Sequence, residues 1–230
     1  MPPALDPRNQ SAAEVAEAAA GEKKLPSWLT EDYDALVARF EAYLTDYQSA
    51  RYARKFREAL AKVEEAEEAA WPGRRDLSRL AARALHKSMA IKDEYEVARL
   101  HRHPDRLAQL GRDYAPDARV STWLAPPMLA KTDPLTGHPK KKAFGPWVQK
   151  AFGTLAGMKA LRGTPLDVFG RTEERKSERA LVGETFKLVD LVAGKLSPAT
   201  EARCREALSL PLEIKGFGHV KAANQARVKP

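Results

Sequence analysis

The sequence is poor in cysteine, and this limits the chemistry that the chain can perform by itself. Cys204 is the single cysteine among 230 residues, so no disulfide can form within the chain. Iron–sulfur clusters and thiolate zinc sites need several protein ligands, which one cysteine cannot supply. Arginines flank Cys204 on both sides, but an ordinary packed cysteine is the favoured interpretation. This cysteine content is typical of a reducing compartment.

Long apolar runs and targeting signals are also missing. No run reaches the ~20 residues of a membrane-spanning helix, and none has the pattern of a secretory signal. Residues 1–25 are rich in alanine and contain Glu14, Glu17 and Glu22, whereas mitochondrial transit peptides are poor in acids. We expect a cytoplasmic protein without membrane association, with a disordered leader at 1–25 and a single mostly helical domain at 26–230.

The motifs of common catalytic and nucleotide sites are absent as well. The glycine-rich stretch Lys215–His219 lacks the G-x-G-x-x-G spacing of a dinucleotide loop and predicts a tight turn. His101 and His103 lie beside Pro104 without a nearby third ligand, which favours a helix-end cap over a metal site. The residues themselves therefore predict no catalytic, cofactor-binding or metal site in this chain.

Helical periodicity dominates what is present and predicts a mainly α fold. Apolar residues recur at helical spacing from Tyr33 to Val63, and a slip in the pattern predicts a kink or turn around 49–51. Further helices are predicted over 77–89, from Pro146 with Trp147 facing inward, behind a Thr172 cap, and from Ser197 and Pro198.

Two segments depart from the helical pattern. Val120, Thr122 and Leu124 alternate with Ser121 and Trp123 and predict a small β element around residues 118–125. Residues 212–221 are a second candidate for β structure. A long loop with prolines and lysines is predicted to follow the first β element as far as Gly145.

Charged residues interrupt the apolar pattern after Met89. Continuing the helix of residues 77–89 by its own period places Lys92, Glu96 and Arg99 on the buried face. Their spacings suit intrahelical ion pairs. Exposed pairing is the favoured interpretation, because most such pairs lie on protein surfaces. The alternative is a partly buried polar cluster.

The net charge of +8 is unevenly distributed along the chain. Residues 25–70 hold 6 basic and 10 acidic side chains, whereas residues 116–170 hold 8 basic and 3 acidic ones. A basic middle predicts contact with an anionic partner, for which the loop lysines are the candidate docking residues. These lysines are Lys131, Lys140, Lys141 and Lys142. The alternative is that they only solvate the loop.

Several stretches of the sequence have an unusual composition. They are YQSARYARKF (Tyr47–Phe56), KDEYEVARL (Lys92–Leu100), LAPPMLAKTDPLTGHPKKKAFGPW (Leu124–Trp147), LRGTPLDVFGRTEERKSERAL (Leu161–Leu181) and IKGFGHVKAAN (Ile214–Asn224). In this order and spacing they resemble the C-terminal region of the bacterial indolepyruvate ferredoxin oxidoreductase family. The resemblance covers roughly Tyr33 to Ala226.

The resemblance implies a largely helical accessory domain or small subunit of a 2-oxoacid:ferredoxin oxidoreductase. The family's reaction decarboxylates an aryl 2-oxoacid oxidatively, giving an acyl-coenzyme A and reduced ferredoxin. It uses thiamine diphosphate, magnesium and iron–sulfur clusters, and the motifs that bind them lie in other domains. The resemblance assigns no catalytic residue to this chain. It implies the other domains or subunits of the assembly as partners, with ferredoxin as a candidate for the basic loop.

Two alternative functions remain open at this point. A free-standing basic module would bind nucleic acid through Lys140, Lys141 and Lys142, but Phe144 and Trp147 look like core residues and supply no stacking platform. A small enzyme would need a convergent acid–base cluster, with Lys92, Glu96 and His219 as its candidates.

Overall fold

The computed structural model describes residues 31–115, 118–124, 140–214 and 224. The chain divides into two units, residues 1–38 and residues 39–230. In the first unit the described part is the beginning of a helix, where the Asp32 carboxylate accepts a hydrogen bond from the Ala35 N–H at 3.0 Å. The predicted leader lies outside the described residues, as do Lys131, His138 and His219.

The first two helices are separated where the apolar pattern slips. Helix α1 spans Tyr33–Tyr47 and helix α2 spans Ala50–Ala70. Ser49 lies in extended backbone between them, and its side chain accepts a hydrogen bond from the Tyr52 N–H at 3.2 Å. A serine at this position satisfies one of the N–H groups that a new helix leaves without a partner. The predicted kink or turn around 49–51 is confirmed.

Three further helices pack with α2 to form the main apolar core. They are α3 (Asp76–Met89), α7 (Glu173–Lys195) and α8 (Glu201–Glu213), of which α3 and α7 contact α2, and α8 contacts α3 and α7. Their inward positions are occupied by large apolar side chains at helical spacing. Fully buried members of this core include Phe56, Leu60, Leu77, Leu85, Met89 and Leu208.

A buried acid connects α2 to α3. Glu67, near the end of α2, accepts hydrogen bonds from the backbone N–H groups of Leu77 and Ser78 at 2.9 and 2.7 Å. The Ser78 hydroxyl donates to the same carboxylate at 2.6 Å. These N–H groups belong to the first turn of α3, where a negative charge is favoured by the helix dipole. Glu67 therefore acts as the N-terminal cap that α3 lacks within its own sequence.

A smaller apolar cluster forms beside this core. Helix α4 (Glu94–His101) contacts α6 (Val148–Gly157), and strands β1 (Thr122–Leu124) and β2 (Lys142–Phe144) form an antiparallel pair. Ala98, Val148 and Phe152 are buried here, with Leu124 and Phe144 packed against them. Helix α5 (Pro104–Asp113) follows α4 and contains no buried residue.

Several predicted boundaries need correction. The helix of α3 ends at Met89, and residues 94–101 form a separate helix capped by Asp93, so the apolar pattern crosses a break. Residues 142–144 lie in a strand instead of the predicted loop. Trp147 is 62% exposed, because it precedes the first turn of α6 and does not face inward. Residues 212 and 213 are helical, and residues 215–221 lie outside the described part.

Other expectations are confirmed. The fold is mainly helical with a small β element at 122–124, as predicted for 118–125. The Thr172 side chain caps α7 by accepting from the Arg175 N–H at 3.3 Å, and Cys204 is buried on α8. None of the helices in the described part of the chain combines the length and the hydropathy that crossing a bilayer requires.

Candidate functional site

The segment between α6 and α7 folds around one buried carboxylate. Asp167 accepts hydrogen bonds from the backbone N–H groups of Gly163 and Gly170 at 2.8 and 2.9 Å, and from the Tyr95 hydroxyl at 3.2 Å. Gly163 has a φ of +76°, which a residue with a side chain adopts only with strain. A Cβ atom on Gly170 would collide with the Asp167 carboxylate and with Arg179. Both glycines are therefore required by this loop.

Arg162 joins this loop to two distant parts of the chain. Its Nε donates to Asp93 Oδ2 at 2.5 Å and its Nη2 donates to Asp93 Oδ1 at 2.9 Å. Its Nη1 donates to the carbonyl oxygen of Tyr47 at 2.7 Å, and the guanidinium lies 3.8 Å from the centre of the Tyr47 ring. The arginine side chain is only 8% exposed. The bidentate contact with Asp93 and the stacking on Tyr47 both use the planar guanidinium group, which lysine lacks.

Asp93 has a second role in the same position. Its carboxylate also accepts from the Glu96 N–H at 2.9 Å and so caps the N-terminus of α4. One carboxylate therefore fixes both the start of α4 and the orientation of Arg162. Asp, Asn, Ser and Thr are the residues that cap helices well.

Two more arginines extend the network from the first turns of α7. Arg175 forms ion pairs with Glu178 and, at 3.5 Å, with Glu94. Arg179 donates to the carbonyl oxygen of Gly170. A second guanidinium nitrogen of Arg179 lies 3.8 Å from Asp167, which is beyond hydrogen-bonding distance. Arg175 and Arg179 are four residues apart, so both lie on one face of the helix.

The predicted cluster of Lys92, Glu96 and Arg99 is only partly assembled. Arg99 forms two hydrogen bonds with Glu96, at 2.7 and 2.8 Å, and Tyr43 donates to Glu96 at 2.5 Å. Glu96 is 1% exposed, so the favoured expectation of an exposed pair is wrong and the buried alternative holds. The reason is that α4 packs inside the fold. Lys92 precedes α4 on an exposed position.

The surroundings of these groups move their pKa values further from pH 7. Burial would raise the pKa of Asp167, but the N–H groups of Gly163 and Gly170 and the Tyr95 hydroxyl outweigh it, so the pKa lies below its usual value. Burial disfavours the charge on Arg162, but its hydrogen bonds to Asp93 raise the pKa of its guanidinium. Burial, followed by the charge of Asp167, raises the pKa of Tyr95 to about 12.

A cavity of about 240 Å³ opens at the centre of the network, and we call it the tyrosine–arginine cavity. It is walled by aromatic rings, three arginines, two aspartates and the loop glycines. Its lining consists of Tyr47, Gln48, Tyr52, Ile91, Asp93, Tyr95, Arg162, Gly163, Asp167, Phe169, Gly170, Arg175, Arg179 and Val182.

A second cavity of about 340 Å³ shares Asp93, Phe169 and Arg175 with the first, and we call it the apolar cavity. It lies against the smaller apolar cluster. Its other lining residues are Lys92, Glu94, Val97, Leu124, Phe144, Trp147, Val148, Ala151, Phe152 and Leu155.

Two buried polar atoms at these cavities have no hydrogen-bond partner. They are the hydroxyl of Tyr47, a residue of the lining of the tyrosine–arginine cavity, and Oε2 of Glu94, a residue of the lining of the apolar cavity. A buried polar atom without a partner costs free energy that a pairing group would recover. Orphan groups beside a cavity are therefore an indication of ligand binding.

The loop lysines lie apart from the network. Lys140 and Lys141 are exposed, and Lys142 is exposed at the start of β2, opposite Leu124. Lys131 and His219 lie outside the described residues, so the proposed grouping of Lys92, Glu96 and His219 stays a prediction. Among the described residues no group of His, Cys, Asp and Glu is arranged to hold a metal ion. His101 lies in the last turn of α4, at the helix end predicted for this pair, whereas His103 caps the N-terminus of the next helix, α5, by accepting from the Asp105 N–H.

Motif reasoning missed the residues that form the network. Tyr47, Asp93, Arg162, Asp167 and Arg175 follow no recognised catalytic spacing. They do fall inside three of the stretches with unusual composition, namely Tyr47–Phe56, Lys92–Leu100 and Leu161–Leu181. The fold brings these three stretches to one place, around the tyrosine–arginine cavity. The composition of these stretches therefore indicated the regions that form the network, but it identified neither the individual residues nor their roles.

The chain belongs to a family whose function is unknown. Its description is "Family of unknown function (DUF6537)", and the match spans residues 33–230. The matched range includes all helices and strands given above and the whole of the network. No curated protein and no solved structure matches the chain.

Proposed function

We propose that this member of the DUF6537 family is an accessory domain or small subunit of a cytoplasmic 2-oxoacid:ferredoxin oxidoreductase of the indolepyruvate type. In this proposal the thiamine diphosphate, magnesium and iron–sulfur clusters are bound by the other parts of the assembly. The chain itself contributes structure and a docking surface. The supporting observation is that three of the stretches that resemble the family converge on one buried network.

The ionisation of the network favours a binding or structural role. Proton transfer at neutral pH works best with a group whose pKa lies near 7. Here the pKa of Asp167 is lowered, and the pKa values of Tyr52 and Tyr95 are raised to about 12, in both cases mainly by burial. These groups keep one protonation state around neutrality, so they hold their partners in place better than they exchange protons.

The exposed lysines supply the docking part of the proposal. Lys140 and Lys141 precede β2, Lys142 is its first residue, and all three are exposed. Ferredoxins are acidic, and electron-transfer encounters depend on complementary charge more than on buried area. Adjacent exposed lysines raise the association rate with such a partner, and salt weakens this effect.

One experiment tests both parts of the proposal. The tagged chain is co-expressed with the thiamine- and cluster-binding chains of such an oxidoreductase, and the complex is isolated and assayed for ferredoxin reduction. We expect a complex of fixed stoichiometry. We also expect the triple Lys→Ser variant at 140, 141 and 142 to reduce ferredoxin several-fold more slowly at ~20 mM salt and little differently at ~500 mM.

A matched control separates docking from net charge. The variant Lys55→Ser, Lys150→Ser, Lys187→Ser removes the same charge from exposed positions elsewhere, and it should leave the rate nearly unchanged. A chain that never co-purifies, and whose omission leaves the oxidoreductase fully active, contradicts the accessory role. Equal ferredoxin-reduction rates for the two triple variants at low salt contradict the docking through the loop lysines but not the accessory role.

A further inference from the structure

We propose that the tyrosine–arginine cavity binds a small molecule through an oxyanion, a carboxylate or a phosphate, which accepts hydrogen bonds from Tyr47 and Arg179. This inference stands apart from the proposed membership in an oxidoreductase, because it uses only the geometry of the cavity. The two sources of the oxyanion differ in the rest of the ligand, and the experiment below distinguishes them.

The two carboxylates that line the cavity already accept hydrogen bonds on both oxygens. Both oxygens of Asp93 receive hydrogen bonds from Arg162, and both oxygens of Asp167 receive backbone N–H groups. The Tyr95 hydroxyl also donates to Asp167, and the Tyr52 hydroxyl donates to the carbonyl oxygen of Met89 at 3.1 Å. A cationic ligand therefore finds both carboxylates of the cavity already engaged.

Two hydrogen-bond donors of the lining, by contrast, can still form further hydrogen bonds. The Tyr47 hydroxyl is buried and has no partner, and the residue is 0% exposed. Arg179 uses one nitrogen for the Gly170 carbonyl, while its Nη1 stays 3.8 Å from Asp167. A guanidinium offers five N–H groups in a fixed plane. An incoming oxyanion would satisfy both groups, and hydrogen bonds to charged acceptors are the stronger kind.

The charge and shape of the cavity agree with this ligand class. Arg162 is paired with Asp93, and Arg175 is paired with Glu178 and Glu94, so Arg179 is the lining arginine that keeps a guanidinium nitrogen beyond hydrogen-bonding distance of a carboxylate. The Arg179 side chain is 39% exposed and meets solvent, whereas Tyr47 lies at the buried part of the lining. Burial raises the pKa of Tyr47, so the hydroxyl keeps its proton and remains a donor at neutral pH.

The walls limit the rest of the ligand. Tyr47, Tyr52, Tyr95 and Phe169 line the cavity with aromatic rings. A volume of about 240 Å³ lies just below the range of drug-sized sites, so it suits a compact ligand with on the order of ten non-hydrogen atoms. A compact organic acid with a flat or apolar body fills this space, and inorganic phosphate uses only the polar end.

Isothermal titration calorimetry on the full chain tests the proposal with three probes at one fixed ionic strength. The probes are phenylacetate, inorganic phosphate and benzylamine. We expect saturable binding of at least one anion and none of benzylamine, which has the size of phenylacetate and the opposite charge. Phenylacetate alone would identify an organic acid, phosphate alone a phosphoryl ligand, and both the oxyanion itself. Absence of binding by both anions, or equal binding of benzylamine, overturns the proposal.

Single substitutions then assign the binding to this cavity. Tyr47→Phe keeps the ring beneath Arg162 and removes only the hydroxyl, so the affinity should fall about tenfold or more. Tyr43→Phe is its control, because Tyr43 bonds Glu96 outside the cavity. Arg179→Gln should abolish binding. Its control is Arg171→Gln, since Arg171 likewise donates to a loop carbonyl but does not line the cavity.

Folding is checked beside each titration. Arg179→Gln also removes the hydrogen bond to the Gly170 carbonyl, so Arg179→Lys is measured with it and thermal midpoints are recorded for all variants. The lysine variant keeps the charge without the planar geometry and should bind with intermediate affinity. Unchanged affinity in a folded Tyr47→Phe or Arg179→Gln variant shows that the anion binds elsewhere and overturns the assignment.

Discussion

Two buried carboxylates in this molecule are satisfied in contrasting ways. Glu67 is enclosed between α2 and α3, and within the described part of the chain it accepts its hydrogen bonds from the first turn of α3 and forms no ion pair. Asp93 also caps a helix, α4, but its main partner is the guanidinium of Arg162. The first arrangement lies in a sealed junction, whereas the second lines a cavity.

The burial of Glu67 is explained by the helix that it caps, whereas the burial of Asp93 also leaves space for a ligand. A helix end supplies enough N–H groups and dipole to stabilise one carboxylate, so Glu67 needs no ion pair. A buried ion pair adds a desolvation cost and is a weak route to stability alone. The position of this ion pair beside a cavity and an unpartnered tyrosine hydroxyl supports the proposal that the second region binds a ligand.

The sharpest test of this comparison removes the cation of the second region. Arg162→Met leaves the Asp93 charge buried without its partner, so we expect a loss of about 3–5 kcal/mol in the free energy of unfolding. Denaturant unfolding followed by circular dichroism measures it. The double variant Arg162→Met, Asp93→Asn removes the stranded charge and keeps an N-cap acceptor, so it should recover part of the loss. A single-variant loss below ~1 kcal/mol would show an ion pair that is effectively solvated.

Acid tests the main apolar core through one buried histidine. His86 on α3 is stacked on Phe40 at 4.0 Å, and its Nε2 has no partner. Burial, and then the charge of Arg39, lowers the pKa of His86 from 6.5 to about 4. The unfolded chain therefore takes up the proton first, and stability falls as the pH is lowered from about 6.5 to about 4, by about 3 kcal/mol in total. Asp167 stays charged through this window because its pKa is lowered.

Unfolding free energies across this pH range measure the effect. His86→Phe keeps a ring packed on Phe40 without a titrating nitrogen, so its stability should vary much less between pH 6.5 and 4. His101→Phe is the companion variant, because burial also lowers the pKa of His101, which stacks on Phe152. A slope that persists in His86→Phe and disappears in His101→Phe would place the acid sensitivity at the smaller cluster.

The mildest test concerns the cap itself. Glu67→Gln replaces one acceptor oxygen with a donor that faces the N–H groups of α3, and we expect a loss of about 2 kcal/mol. Glu68→Gln is the matched control, since Glu68 is exposed and pairs with Arg75 on the surface. Its loss should stay below ~0.5 kcal/mol. Equal losses in the two variants would remove the distinction between the sealed junction and an ordinary surface.

Local features of the fold could be predicted from the sequence because they depend on neighbouring residues. The break between α1 and α2 follows from the slip in the apolar pattern, and the Thr172 cap follows from its place before a helical run. The exposure of Trp147 could not be predicted in this way. Trp147 directly precedes the first turn of α6, where helical spacing alone does not decide which residue faces the core.

The candidate site depended on contacts that no local pattern contains. Arg162 meets Asp93 across 69 positions and Tyr47 across 115. Glu67 lies in the run EEAEEAA, which has the composition of an exposed helix. The sequence placed Glu96 and Arg99 at pairing distance, but their burial follows only from the packing of α4. The partners of the loop lysines stay a prediction.

The long reach of Arg162 has a consequence for the order of folding events. Its hydrogen bonds close segments of 69 and 115 residues, and closing such long segments costs chain entropy before any contact compensates it. We expect contacts of this kind to form after the helices on either side have packed. Changes at Arg162 should then act mainly by accelerating unfolding and leave the folding rate almost unaltered. On this expectation, the hydrogen bonds of Arg162 lower the unfolding rate and so lengthen the lifetime of the folded chain.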